Sequence, residues 1–273
     1  MKASSVRAYL LVNAATLLWA GNMVLGRALR EAVGPWTLAG LRAAVAAVPF
    51  GLLLLRAPRR APVLPRDWLL AVGMALSGVV GFQVLQYTGL HYTTALNAGV
   101  VNATGPLMTL FLARLIGQER LSSGQVLGAA LSLSGVVVVL SGGSWDALRG
   151  LRFNPGDLLV LGAVFLWAVY SLLGRALLGR HPTVWVTAVS TLAAVPLLAA
   201  PAVWESLSAP PAVEGSLILA VLYIGVGPSF LAFLAWNQGV RSLGASGAMA
   251  FYNTLPVYAG LLAGAALGEW PGS

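Results

Sequence analysis

The chain has 273 residues, of which 58% are hydrophobic and 9% charged, and it contains no cysteine. A soluble domain carries about 25% charged residues, so this sequence cannot cover a water-facing surface. A soluble enzyme, a disordered chain and a disulfide-stapled secreted domain are all excluded. The formal charge of +8 does not signal nucleic acid, because the arginines sit in short segments between apolar runs, the layout of a polytopic membrane protein.

A bilayer-spanning helix needs about 20 mostly apolar residues. In chain order, Ala8–Gly26 is uncharged and Val33–Leu55 is interrupted only by Arg42. Trp68–Ala113 is uncharged over 46 residues, enough for two spans with a turn at His91. Leu121–Trp145, Leu158–Gly174, Pro182–Trp204, Gly215–Val240 and Ser242–Gly268 follow, giving nine spans. With the N-terminus cytoplasmic, the inner segments hold eleven basic residues, among them Arg56, Arg66, Arg114, Arg180 and Arg241, against four outside. That bias orients the chain with its N-terminus inside. Lys2 and Arg7 ahead of an apolar run also fit a signal peptide, but the same run recurs mid-chain.

Leu17–Arg30 (LLWAGNMVLGRALR) and Phe165–Leu178 (FLWAVYSLLGRALL) match at eight of fourteen positions with an offset of 148. Pro35 pairs with Pro182, and the AAVP of Ala46–Pro49 with that of Ala193–Pro196. Thr104, Pro106 and Glu119 recur 150 residues on as Thr254, Pro256 and Glu269. The chain therefore reads as a duplicated five-helix unit: residues 1–142, a linker at 143–157, and a second copy at 158–273. Because five is odd, the second copy enters the membrane from the opposite face, giving an inverted repeat of the kind found in secondary transporters. The fold expected is all-α and polytopic, with five-plus-five helices. The partner of the fifth span would start near Pro271, so ten helices are expected and nine are visible.

The two copies, the mid-helix tryptophan and the run GQERLSSGQVLGAALSLSGVVVVL (Gly117–Leu140) resemble the EamA-type carriers of the drug/metabolite transporter superfamily. The resemblance covers the whole chain. It implies ten helices, cytoplasmic termini and a central cavity between the halves. It leaves the substrate open, with the aromatic amino-acid exporters of the family the best match to the side chains described next.

Trp36, Trp68, Trp145, Trp185, Trp204 and Trp270 fall at span ends, as interfacial tryptophans do. Trp19 and Trp167 are equivalent in the repeat and lie mid-span, where they either pack helices or wall a cavity. Trp236 fits an interfacial belt or the cavity equally. Polar residues within spans face protein or water, and here they are chiefly amides: Asn22, Gln83, Gln86, Asn97, Asn102, Asn237 and Asn253. Gln83, Gln86 and Tyr87 share a helix face, with Phe233, Trp236 and Asn237 as repeat equivalents. Asn102 pairs with Tyr252 and Asn22 with Tyr170. The expected substrate-binding set is Trp19, Asn22, Phe82, Gln83, Gln86, Asn102, Trp167, Tyr170, Phe233, Trp236, Asn237, Tyr252 and Asn253. Any single amide serves equally well as interhelical glue. Pro106 and Pro256, close to Asn102, Tyr252 and Asn253, are the expected hinges. Pro49 and Pro196 read equally as packing kinks. Glycine and serine at spacing four (Gly73, Ser77, Gly81; Gly124, Gly128; Gly260, Gly264) read as close helix packing.

No span holds an Asp or Glu, which argues against proton-coupled export of permanent cations. His91 and His181 fall at span ends. Arg42, the charge deep within a span, either snorkels and caps neighbouring carbonyls or faces the cavity to meet a substrate carboxylate. Neutral or zwitterionic cargo fits best, with a ring against Trp/Tyr and polar ends on Asn/Gln. The resulting expectation is a bacterial inner-membrane exporter or facilitator working by alternating access, as a monomer or homodimer. Its partners are a small-molecule substrate and the lipid bilayer; no nucleic acid, cofactor, metal or catalytic residue is expected. The alternatives are a passive channel, a non-transporting receptor, or an intramembrane serine hydrolase built on Gly244–Gly247. The last lacks a histidine base within any span.

Overall fold

The computed structural model describes residues 3–56, 62–93, 95–118, 122–140, 149 and 154–267. Arg59, Arg60, Glu119, Arg120, Trp145, Asp146, Glu269, Trp270 and most of the expected linker lie outside the described residues, as does the side chain of Asn97. The helices in chain order are α1 (Ala3–Ala28), α2 (Pro35–Arg56), α3 (Pro65–Tyr92), α4 (Ala95–Asn102), α5 (Gly105–Leu115), α6 (Ser123–Leu140), α7 (Pro155–Leu178), α8 (Thr183–Ser208), α9 (Gly215–Leu243) and α10 (Leu255–Leu267). Six of them, α1, α2, α3, α7, α8 and α9, are long and apolar enough to cross a bilayer. The chain is an all-α polytopic membrane protein.

Local chemistry sets the starts. Pro65 and Pro155 open α3 and α7 in the first turn, where a missing N–H costs nothing. Asn154 caps α7 by accepting from the backbone N–H groups of Gly156 and Asp157. Asp67 and Asp157 reach back to the N–H groups of Leu64 and Asn154, each at 2.9 Å. Both carboxylates lie inside the first helical turn and are buried, and Glu205 sits in the last turns of α8. The expectation of carboxylate-free spans thus holds for their middles but not for their ends, because caps draw acids into the terminal turns.

The fourth span is broken, not continuous. α4 ends at Asn102 and α5 restarts at Gly105. In the second copy Gly244 (φ 80°, ψ 168°) stops α9 at the turn equivalent to that after α3, a conformation open only to glycine. Residues 245–249 are helical, Ala250–Thr254 tighten to a 3-10 turn, and α10 follows. Pro106 and Pro256 each occupy the second position of a restarting helix. They begin helices; they do not bend continuous ones.

A further symmetry has no sequence signature. Ala75–Gly81 in α3 and Gly225–Leu231 in α9 are both π-helical, at an offset of 150, yet ALSGVVG and GVGPSFL share no identical position. In each, the following N–H bonds five residues back, Phe82 to Ser77 and Ala232 to Gly227. Such turns re-register carbonyls and occur often at functional sites.

The copies interlock. α1 packs on α9 and α10, α7 packs on α3, α4 and α5, and α2 packs along α8. α1 and α9 run antiparallel, since Leu18 accepts from Tyr223 while Val12 lies over Gly239. α3 and α7 run antiparallel too, with Leu173 over Gly73 and Val160 over Gly89. The first helix of each copy is therefore embedded in the other. The largest apolar cluster joins Trp19, Met74, Trp167, Tyr170, Phe233, Trp236, Met249 and Tyr252 from both copies.

Gly78 shows why small residues line the α3–α7 contact: a Cβ there would strike the Tyr170 ring near its attachment, where the side chain cannot swing aside. Gly124 and Gly128 on α6, by contrast, face open space among the described residues. Gly78→Val should lower the stability of the purified protein by about 1–3 kcal/mol through overpacking. Gly124→Val should leave it unchanged, both read as melting temperature in one detergent.

Candidate functional site

Between the copies lies an aromatic chamber. Trp19, Asn22 and Met23 on α1, Phe82, Gln83 and Gln86 on α3, Trp167 on α7, Phe233 on α9, Tyr252 in the 3-10 turn and Leu255 at the start of α10 line a narrow space that their rings nearly fill. The rings stand against one another. Trp19 meets Trp167 edge-on at 4.9 Å between centroids, Phe233 at 5.9 Å and Tyr252 at 6.3 Å. Trp167 stacks on Tyr170 at 4.9 Å and meets Phe82 at 5.1 Å. Such edge-on and offset contacts are the preferred aromatic geometries, so the chamber is drawn closed on its own walls.

The π turn of α9 helps hold it. Because Ala232 bonds Gly227, the carbonyl of Pro228 is free to accept from the Trp19 indole at 3.0 Å, in the interior. Trp19, on the first copy, is thereby pinned to the backbone of the second. Trp236 has its indole on Ser171 Oγ at 3.2 Å and is fully buried. It is a wall support behind Trp19 and Trp167, neither belt residue nor lining.

Two amide–tyrosine pairs mirror each other with residue types exchanged. Tyr87 donates to Asn22 Oδ1 at 2.8 Å, and Asn237 donates to Tyr170 OH at 2.6 Å and Thr187 at 3.1 Å. In both, a residue of the copy's first helix meets one of its third. Asn102 is near Tyr252 OH at 3.5 Å and gives its amide protons to Ala98 O. Asn253 turns away to Ser132 on α6 at 2.8 Å. Of the thirteen expected residues, eight line the chamber: Trp19, Asn22, Phe82, Gln83, Gln86, Trp167, Phe233 and Tyr252. Tyr170, Trp236, Asn237, Asn102 and Asn253 stand behind or beside it.

Arg42 neither snorkels nor caps carbonyls. It is 3% exposed, donating from Nε to Ser229 Oγ at 2.7 Å and from Nη1 to Gln83 Oε1 at 2.5 Å and Tyr87 OH at 2.8 Å. Tyr87 lies on the face expected for it, with Gln83 and Gln86, but Ser229, which also meets Arg42, carries no mark in the sequence, because it comes from a helix 187 residues away. At the end that carries Arg56, His181 occupies the expected turn but is buried, with Nε2 2.9 Å from Asp67; Arg180 stands 3.4 Å from the same carboxylate. Ser246 Oγ has no partner among the described residues, and Gly244 serves as the helix break, which accounts for the serine-hydrolase-like motif. A double-mutant cycle on Tyr170→Phe and Asn237→Ala should give a coupling of about 0.6 kcal/mol. The Asn22→Ala/Tyr87→Phe cycle should give more, since it strips neutral acceptors from a buried cation; unfolding in bicelles measures both.

Comparison with known proteins agrees with this architecture. The EamA-like transporter family matches residues 6–141 and again 154–273. An aromatic amino acid exporter, YddG, of Ancylobacter novellus is 30% identical over 83% of this chain and 77% of its own length. A probable terminal-alkyne amino-acid exporter of Streptantibioticus cattleyicolor is 28% identical over 86% of this chain and 74% of its own. The transporter YyaM of Bacillus subtilis is 30% identical over 67% of this chain, the match spanning 61% of YyaM. A solved crystal structure superposes with a TM-score of 0.76 at 27% identity, covering 97% of this chain and 91% of that one. The family match spans both copies almost end to end, and the chain is a member of the EamA-like transporter family.

Proposed function

We propose that this transporter exports small neutral or zwitterionic metabolites, aromatic or apolar amino acids foremost, across a bacterial inner membrane by alternating access between its two copies. The observation that carries this reading is Gln86. It is 95% buried on the chamber wall, and neither its Nε2 nor its Oε1 has a partner among the described residues. A buried amide left unpaired costs about 1–3 kcal/mol, a cost that a fold has no reason to keep unless cargo relieves it. The Trp167 indole N–H, on the same wall, is unpartnered too. A chamber of rings with a few unsatisfied donors and acceptors fits a molecule with one aromatic face and a polar end. The exporters named above, one for aromatic and one for terminal-alkyne amino acids, support the same cargo class.

Among the described residues no Asp or Glu lines the chamber. Asp67, Asp157 and Glu205 are engaged at helix ends, with His181, Thr93 and Thr37 respectively. Transport is therefore read as facilitated movement down the substrate gradient, without a proton carrier in the chamber. Alternating access draws on the antiparallel copies: exchanging their roles exchanges the open end.

Purified protein in liposomes should catalyse saturable counterflow of labelled L-phenylalanine or L-tryptophan. Trp19→Ala should abolish it; no counterflow by the wild type, or a Trp19→Ala variant as active as wild type, overturns the cargo assignment. Gln86→Leu should raise KM about tenfold or more, as expected when a cargo polar group loses its partner, while leaving the melting temperature equal to or above that of wild type. Orientation has a clean test because the chain lacks cysteine. In intact cells an impermeant maleimide should label Glu31→Cys, and should label Arg66→Cys only after lysis.

A further inference from the structure

Beside the aromatic chamber lies a second, smaller and nearly closed recess, sharing Gln83 and Phe233 with it. Its other walls are Ala39, Arg42 and Ala43 of α2, Val79 of α3, Thr191 of α8 and Ser229 of α9. It is thus built between the two copies. Its lining includes a guanidinium and no carboxylate.

The state of that guanidinium is unusual. Nε and Nη1 are engaged by neutral oxygens only: Ser229 Oγ, Gln83 Oε1, Tyr87 OH and, at 3.5 Å, Asn22 Oδ1. Ser229 gives its own proton to Ile224 O at 2.8 Å, and Tyr87 gives its proton to Asn22. Their lone pairs are thereby turned toward Arg42. These dipoles hold the guanidinium in one orientation without neutralising it. Nη2, equally buried, has no partner among the described residues, and neither does Oγ1 of Thr191, which lines the same recess. Buried charges are ordinarily paired, because desolvation of a lone ion is expensive.

Nothing in the helical scaffold demands a cation here. The register set by Pro35 and Pro182, 147 residues apart, places Val189 at the position corresponding to Arg42, and Val189 is buried on α8 without difficulty. The second copy packs the same helix with an apolar residue, so the charge belongs to one copy alone.

We propose that Arg42 Nη2 and Thr191 Oγ1 form a carboxylate-binding subsite that selects carboxylate-bearing cargo and fixes its orientation. The ring occupies the aromatic chamber, and the carboxylate reaches past Gln83 into the recess. There it accepts a charge-assisted hydrogen bond from Nη2 and a second bond from the threonine hydroxyl. An ammonium group on the same cargo falls to Gln86 Oε1 and the faces of the surrounding rings. This assignment rests on the amino-acid reading above and adds the group that recognises the acid.

The test is a titration of intrinsic tryptophan fluorescence on detergent-purified protein, with L-phenylalanine, L-phenylalaninamide and phenethylamine, at a pH where all three keep their ammonium. Wild type should bind phenylalanine about tenfold or more tightly than its amide or the amine, the scale of one charge-assisted hydrogen bond. Arg42→Gln should erase that ratio by lowering the acid's affinity about tenfold more than the amide's. Thr191→Val, which removes only a hydroxyl, should shrink the ratio and serves should the arginine variant not fold. Equal wild-type affinity for acid and amide, or a parallel loss of both in Arg42→Gln, overturns the subsite and leaves the amino-acid reading standing. A wild type that binds none of the three overturns the amino-acid reading itself, and the subsite with it.

Discussion

In hydrocarbon no water is available to satisfy a backbone group, so every N–H and C=O must find its partner inside the protein, and non-helical backbone survives only where it is buried or lines a cavity. That constraint organises this molecule. Its departures from α-helical geometry are the paired π turns in α3 and α9, the break between α4 and α5, and the break at Gly244 followed by a 3-10 turn. The segments around them supply Trp19's acceptor, Ser229, Phe82, Gln83 and Tyr252. Irregularity is concentrated at the meeting of the two copies, and the carbonyl of Pro228 freed by one π turn has a use there.

Among the described residues the two copies agree more closely in architecture than in chemistry. Their π turns recur at an offset of 150 and each inserts its first helix into the other, but the residues at equivalent positions are traded. Asn22 and Tyr87 answer Tyr170 and Asn237 with the partners exchanged, Gln83 and Gln86 answer Phe233 and Trp236, and Arg42 answers a valine. The first copy therefore supplies the polar half of the central space and the second much of the apolar half. In the transport cycle proposed above, the similar halves would exchange roles and the asymmetric filling would set the direction in which the cargo lies.

The sequence made some of this legible and some not, for identifiable reasons. Trp19 and Trp167 stand out because a rare residue recurs in register, and both line the chamber. Span positions follow from charge spacing, and the turn after His91 falls where expected. The π turns leave no trace, because hydrogen-bond register depends on the contacts of whole helices and not on seven residues. Arg42 is conspicuous as a charge, but its environment is assembled from α1, α3 and α9, so only the folded chain decides between a capping residue and a buried cation. Asn253 and Trp236 fit the helical pattern of a cavity and miss it by a fraction of a turn.

The junction of α3 with the α7–α8 turn is closed by Asp67, His181 and Arg180. At the other end, the α1–α2 turn meets the segment before α9 through Ala212 N–H to Ala32 O at 3.2 Å and the apolar cluster holding Val33 and Leu217, while Glu205 at the end of α8 accepts from Thr37 at the start of α2. Apolar association weakens on cooling, whereas an ionic contact does not share that entropic origin. Each mouth of the bundle thus keeps a carboxylate clasp, and in the second mouth the contact of Val33 with the start of α9 is the part that chilling loosens first.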